Sequence, residues 1–451
     1  MLLRKLSWIV TLCQVLGLAA IASASPVVTI TDAFGTLPDE SFFAANPTAI
    51  VNVEDDGLIS PGHLSDPFDF NGATVNINNR GGVGWHTLHP FLDDVSLNLY
   101  EGGVAHDRAT FSGTTGSTNV TVHDGWARGR LTMQGNSVLN VNGGTVGGGQ
   151  PHGAPALVAE GDSQVTISDG DVEHYVLVKG SADLEIAGGT VGDFLAVEES
   201  GHLTISGGSV GRLTHIRSAA ATVAITGGTI DREFMATDGA TVNMSAGAIG
   251  TNSLVRESVM NMSGGALGTG FKVYDGTLNM SGGTFGDNFR LGAFTGLPGT
   301  LNLFVKSATI DGGLIDLAVG DTYEVTRRDD VFLTAELING GSVGLILNSD
   351  ISNSIDYLRA DSTLNLIRQA APGDFDLDGD TDDDDLASWR SDYGSSSPGA
   401  SFLAWQRNYA PATTPLVASV AAVPEPASVQ MIVTIVAAIV GRRSRRSDAA
   451  A

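Results

Sequence analysis

Thr277-Leu278-Asn279-Met280-Ser281-Gly282-Gly283-Thr284-Phe285-Gly286 is one copy of a unit that recurs down the middle of the chain. Thr241-Val242-Asn243-Met244-Ser245-Ala246-Gly247-Ala248-Ile249-Gly250 and Leu203-Thr204-Ile205-Ser206-Gly207-Gly208-Ser209-Val210-Gly211 are two more. The second apolar residue of the unit sets the register, and it falls at Val141, Ile167, Ile186, Ile205, Ile225, Met244, Met262 and Met280. These spacings cluster near nineteen residues, with a longer insertion after Val141. Fainter copies put Ile77, Leu99 and Val122 before and Leu303 after, for about a dozen coils. A fixed period of this size is the signature of a solenoid. Such a body is a scaffold, and its function lives on its exposed faces and in what is attached to its ends.

Each coil reads as three short extended pieces. The first alternates apolar, polar, apolar, as in Val242-Asn243-Met244, which argues a strand with one buried face. A Gly-Gly or Ala-Gly pair then turns the chain, and a short piece such as Thr190-Val191-Gly192 follows. The third piece alternates again in Phe194-Leu195-Ala196-Val197, Phe271-Lys272-Val273-Tyr274 and Phe289-Arg290-Leu291-Gly292. There Lys272 and Arg290 are expected outward, Phe271 and Phe289 inward. Stacked coils of this kind make an all-β parallel β-helix over residues 25–303, a rod of about 55 Å at roughly 4.8 Å per coil. Right-handed winding is expected because parallel crossovers favour that hand. Eighteen residues per turn also suit the left-handed form, so the hand stays open. The competing architecture, a β-sandwich with glycine-rich turns, does not explain a constant period.

The chain has 58 glycines and a formal charge of −26. That sign disfavours nucleic acid, since nothing neutralises phosphates, and suits an extracellular, calcium-containing setting. Residues 1–24 read as a secretory signal: Arg4 and Lys5, then an apolar stretch from Leu6 to Ala20, then the small-residue cleavage site Ala22-Ser23-Ala24. The single cysteine, Cys13, lies inside that segment, so the mature chain is expected to hold no disulfide. Residues 304–368 break the period with strand-like runs such as Val343-Gly344-Leu345-Ile346-Leu347. A solenoid needs an atypical end over its last apolar layer, and this stretch reads as a β-rich cap, with a separate small β domain as the alternative.

Asp374-Phe375-Asp376-Leu377-Asp378-Gly379-Asp380-Thr381-Asp382-Asp383-Asp384-Asp385 is the most specific chemical signal. Calcium takes six to eight oxygen ligands. The loop offers carboxylates at its positions one, three, five, nine and twelve: Asp374, Asp376, Asp378, Asp382 and Asp385. Gly379 sits at position six, where the chain must turn, and Asp380 would give its backbone carbonyl. A plain acidic linker is the competing interpretation. The loop opens a helix, Leu386-Ala387-Ser388-Trp389-Arg390-Ser391-Asp392-Tyr393. A second copy follows in Phe402-Leu403-Ala404-Trp405-Gln406-Arg407-Asn408-Tyr409. This duplicated loop-helix resembles a type I dockerin, an EF-hand-like calcium-dependent docking module, over about residues 371–411. The resemblance implies calcium on the loop and a cohesin-like surface protein as partner. The second half departs from the pattern, because Ser395 to Ser401 holds no carboxylate, and the recognition pair would fall at Asp383 and Asp384. Trp389 and Trp405 are expected to form the core of this small module.

After a linker at 412–422 comes Val423-Pro424-Glu425-Pro426, then an apolar run from Val429 to Val440, then Arg442, Arg443, Arg445 and Arg446. The run is short for a stand-alone membrane helix, and the arginines would hold its end on the cytoplasmic side. This order over 423–451 resembles the PEP-CTERM sorting signal of bacteria. The resemblance implies an exosortase-like processing enzyme as partner, membrane attachment through a hydrophobic C-terminal helix before processing, and delivery to the cell envelope, cell surface or extracellular matrix. The whole chain resembles planctomycete-type surface proteins that combine a glycine-rich repeat body, a dockerin-like stretch and this tail.

Parallel β-helices also carry polysaccharide lyases and hydrolases, and a hydrolase would need facing carboxylates on neighbouring coils. Glu185 stands alone at its position. Asp193, Asp231 and Asp287 are expected to share a turn position. Glu198 and Glu199 lie on a loop without an acidic copy near Ala219. His86 and His89 offer a metal pair with no third ligand in view. No catalytic residues are assigned. One outward column does repeat: Asn76, Asn98, Thr121, Asn140, Thr166, Glu185, Thr204, Ala224, Asn243, Asn261, Asn279 and Asn302, beside Ser206, Ser245, Ser263 and Ser281. It reads as a stacking ladder along the sheet, with a flat surface for glycan or ice as the alternative. The expected function is a non-enzymatic exported surface or matrix scaffold; the alternative is a polysaccharide-binding or polysaccharide-degrading protein on the same frame.

Overall fold

A computed structural model describes residues 25–409 apart from 32–37, 39, 55–57, 60–67, 79–81, 84–90, 106–109, 114–116, 149–153, 294–295, 351–355, 371, 378–380 and 394–398. The signal segment 1–24, the sorting segment 423–451 with its apolar run, the pair His86 and His89, and Asp378 and Asp380 lie outside the described residues. Among the described residues no helix is long and apolar enough to cross a membrane. The chain divides into two compact units, Met1–Ala371 and Pro372–Ala451.

The first unit is a parallel β-solenoid of about 12 turns with rungs of about 19 residues. Strand Thr241–Thr251 lies parallel on Val259–Met262, with Val242 on Met260 and Met244 on Met262; the next strand, Thr277–Met280, repeats the register. Every register residue from Ile77 to Leu303 is at most 1 % exposed. Three positions extend the column beyond the repeats evident in the sequence, the first being Ile30, which pairs with Val53. Val53 lies one coil below Ile77, and Leu366 lies directly over Leu303. Alternation explains the arrangement: residues i and i+2 of each strand share a face, and in-register stacking puts like side chains over like. Each fully buried Leu, Ile or Met contributes about 1.5–3 kcal/mol.

Each coil turns at three corners, and along the central coils two of these corners hold a residue in the left-handed region in coil after coil. The first column is glycine throughout its central run, from Gly170 (φ +80°) through Gly189, Gly208 and Gly228 to Gly283. At Gly208 a Cβ would sit 2.6 Å from the carbonyl oxygen of Gly188 on the coil below. Both backbone angle and close approach therefore demand glycine there. The second column is Tyr175, Phe194, Leu213, Glu233, Asn252, Gly270 and Asn288, with φ between +37° and +74°. Its backbone is fixed by the stack. Phe194 N–H donates to Arg212 O, Leu213 N–H to Arg232 O, Glu233 N–H to Thr251 O and Asn252 N–H to Thr269 O. Asparagine and glycine take this conformation readily, whereas a bulky side chain pays roughly 1–2 kcal/mol.

That corner fixes one register and corrects one sequence expectation. Phe194 does not share the inward position of Phe271 and Phe289. Leu195 does, since Ala196 pairs with His215 and the column continues through Met235, Leu254 and Lys272 to Arg290. Phe194 therefore stands at the corner, 47 % exposed, while Phe271 and Phe289 are fully buried. Asp231 does not share the position of Asp193 and Asp287. Val191 pairs with Val210 and Val210 with Ile230, which puts Asp231 over Gly211 and Arg232 over Arg212. The coil containing Asp231 lacks the glycine that follows the apolar residue in its neighbours, so alignment by residue type slips by one.

Residues 304–368 close the solenoid in two ways. Strand Thr300–Ile310 continues the column and then pairs antiparallel with Asp329–Leu337, which forms a hairpin with Ser342–Asn348. The hairpin buries Leu333, Ala335, Leu337, Val343, Leu345 and Leu347. The chain then returns as one more coil, with Leu358 on Leu291 and Leu364 and Leu366 on Leu301 and Leu303. Buried Asp356 joins these parts, accepting from Phe289 N–H at 2.9 Å and Ile346 N–H at 3.1 Å. Burial pushes its carboxyl above the ordinary range, against the pull of the backbone amides of Ile346, Phe289 and Asn288. The folded chain thus holds this proton more tightly than the unfolded one. Its contribution to stability is greatest below the ordinary carboxylate range and falls as pH rises from there to the raised folded value. Asp356→Ala strands a buried amide at Phe289 and a half-buried one at Ile346, an expected loss of about 1–3 kcal/mol for each group left unsatisfied. Thermal melts across acidic pH should also show that this part of the pH dependence disappears in the variant.

Near the other end, helix Glu40–Ala45 places fully buried Phe43 against Phe70, ring centroids 5.1 Å apart. The second unit consists of the acidic loop and two helices, Asp383–Asp392 and Gly399–Asn408.

Candidate functional site

The acidic loop folds back on itself. Asp374 is 4 % exposed and Asp385 is fully buried, and with Asp376 their carboxylate oxygens lie within 4.8 Å of one another. Asp385 organises the loop. Its Oδ1 accepts from Phe375 N–H and from Asp376 N–H, and its Oδ2 accepts from Asp382 N–H at 2.7 Å. Asp382 caps the following helix, accepting from Asp384 N–H at 2.8 Å within a capping box that Asp385 completes. Three of the six expected ligands therefore converge, Asp382 stands at the helix N-cap, and Asp378 and Asp380 fall outside the described residues. The donors are all carboxylate oxygen, the chemistry of a hard cation.

The rest of this unit explains why such a site matters to it. Among its described residues the fully or nearly buried side chains are Asp374, Thr381 and Asp385, with no apolar side chain so deeply covered. Packing comes from a chain of aromatic rings. Trp389 meets Phe402 at 4.9 Å, Phe402 meets Trp405 at 5.5 Å, and Trp405 meets Tyr409 at 4.8 Å. Trp389 Nε1–H donates to Ser401 Oγ at 2.9 Å and Trp405 Nε1–H to Asp382 O at 2.6 Å. Both indoles thus pack the two helices onto each other and onto the loop. A unit this small with so little apolar burial gains most from a staple such as a metal.

On the solenoid, the outward column stacks as expected. Asn261 Nδ2–H donates to Asn243 Oδ1 at 2.9 Å, Asn279 to Asn261 at 2.8 Å, Asn302 to Asn279 at 2.8 Å and Asn365 to Asn302 at 2.9 Å. Asn98 bonds to Asn76 and Asn76 to Asn52, each at 3.0 Å. Each amide satisfies its neighbour along the sheet, so the ladder serves the stack itself.

A different feature of the solenoid went unnoticed in the sequence. A groove of about 1220 Å³ runs across the coils beside the second corner column. Tyr175 and Phe194 stand in it, ring centroids 6.4 Å apart. Asp193 lines it and is held by Arg212, whose Nε–H donates to Asp193 Oδ2 at 2.8 Å and whose backbone N–H donates to Oδ1 at 3.1 Å. Burial alone would raise the Asp193 carboxyl, but the bonds from Arg212 outweigh it and bring the group below its ordinary range. His174 lies beside Asp193 on the preceding coil, its Nε2 buried without a hydrogen-bond partner among the described residues. Burial lowers the imidazole of His215, which accordingly stays neutral at pH 7. The other carboxylates considered from sequence lie elsewhere. Glu198 pairs with Arg217 at 2.9 Å, Asp231 faces Arg232 at 3.6 Å, and Glu185 lies on the ladder column between Thr166 and Thr204. The signal that could have revealed the groove is the corner column, where aromatic residues replace asparagine and glycine in two successive coils.

These features define a class: a capped parallel β-solenoid, and a small helical unit organised around a cluster of three carboxylates, two of them buried. Compared with family models, with curated proteins and with solved structures, the chain matches none.

Proposed function

We propose that the chain is an exported, non-enzymatic cell-surface or matrix protein. Its β-solenoid acts as a rigid spacer, its acidic loop binds one calcium ion, and its C-terminal segment, with Val423-Pro424-Glu425-Pro426 and the arginine cluster, directs sorting by an exosortase-like enzyme. The observation that carries the calcium assignment is the convergence of Asp374, Asp376 and Asp385 in a unit with no deeply buried apolar side chain among its described residues. Three carboxylates brought this close repel one another, and a dication offsets that cost. When bound, calcium would supply the link that fixes loop to helix. A second interpretation, polysaccharide binding or degradation on the same scaffold, draws support from the groove at Tyr175 and Phe194.

Calorimetric titration of the full chain with calcium tests the first assignment. One ion per chain is expected for the natural sequence, and none for a variant carrying both Asp374→Ala and Asp378→Ala. Unchanged uptake would place the ion elsewhere. Turnover of a polysaccharide by the purified protein would overturn the non-enzymatic assignment.

A further inference from the structure

Tyr175, Phe194 and Leu213 occupy a corner where the chain is left-handed, at φ +37°, +69° and +65°. The same corner holds Asn252, Gly270 and Asn288 in later coils, so the stack imposes the conformation whatever the side chain. Bulky residues there are strained. Phe194 is in addition 47 % exposed. Neither strain nor exposure stabilises the fold, and backbone outliers that the surroundings over-determine cluster at ligand clamps.

The surroundings say what the aromatic pair would meet. The groove at about 1220 Å³ exceeds the usual range of small-molecule sites, ~300–1,000 Å³, and has room for more than one ring. Its charges are of both signs, Asp171, Glu173 and Asp193 with Arg212 and Arg217, and each arginine is already paired, Arg212 with Asp193 and Arg217 with Glu198. Such a lining offers an anion no arginine that is not already paired. It offers ring faces for apolar C–H surfaces, and donors and acceptors around them for hydroxyls. A saccharide combines those two demands on one molecule.

We propose that this groove binds a neutral oligosaccharide across successive coils, with Tyr175 and Phe194 stacking on sugar rings and Asp193, Glu173 and Arg212 meeting hydroxyls at the rim. The proposal deepens the second interpretation above and rests on it alone; the calcium-bearing scaffold stands independently.

The test titrates the full chain with cellohexaose, xylohexaose, mannohexaose and maltohexaose, and with an alginate hexasaccharide as the anionic comparison. Calcium uptake is measured on the same samples. At least one neutral probe should bind, and more tightly than the alginate probe. Phe194→Asn should weaken that binding roughly tenfold or more, as loss of an aromatic anchor does, while leaving the melting temperature unchanged or raised, since asparagine suits the corner. Failure of every neutral probe, preference for alginate, or full binding by Phe194→Asn would each overturn the proposal. So would a fall in melting temperature in Phe194→Asn, which would make the ring a structural element. None of these outcomes alters calcium uptake, so failure of the groove is distinguishable from failure of the scaffold assignment.

Discussion

Ile225→Asp is expected to destabilise the central coils by about 4–5 kcal/mol or more, among the largest effects a point substitution produces. Ile225 is 1 % exposed and sits between Ile205 below and Met244 above in the inward column. A carboxylate there has neither water nor a partner, and an isolated buried charge is far costlier than a lost methyl group. The damage should also be local at first, because each coil of a solenoid touches only its neighbours. Denaturant unfolding followed by circular dichroism should therefore show an early transition absent from the natural chain. Ala224→Asn, one residue away, supplies the control. Its position faces outward between Thr204 and Asn243, and an amide there extends the ladder at a gain of about 0.5–1.5 kcal/mol. If the two substitutions behaved alike, coil stacking in this register would be wrong.

The second large effect is expected at Asp385. Asp385→Ala removes the acceptor of three backbone amides and one of three converging carboxylates in a single change. Each stranded amide costs about 1–3 kcal/mol, and the small unit holds no deeply buried apolar side chain among its described residues to absorb the loss. Its two helices should lose their cooperative melt, and calcium affinity should fall by more than about a hundredfold, since loss of loop order compounds loss of a ligand. Tryptophan fluorescence reports both, because Trp389 and Trp405 pack between loop and helices. A variant that melts and binds calcium like the natural chain would remove Asp385 from the site. Comparison with Asp374→Ala and Asp378→Ala, which leave the Asp385 amide bonds in place, separates ligand loss from loop collapse.

The sequence alone determined the solenoid, its coil length and its inward column, because period-two alternation inside a nineteen-residue repeat leaves one arrangement that buries every second residue. It also determined the acidic loop, whose carboxylate spacing is local. Only the tertiary structure decided where the corners fall. The stack, through hydrogen bonds such as Phe194 N–H to Arg212 O, fixes which residue turns, and Asp231, standing where the neighbouring coils have glycine, shifts an alignment by residue type by one without disturbing the strands on either side. For the same reason the groove was hidden: Tyr175, Phe194 and Arg212 are spread over three coils, and pairing between coils, which no local pattern encodes, brings them to one place. The closing coil at Leu358 to Leu366 was hidden too, since a hairpin inserted before it breaks the period that would have announced it.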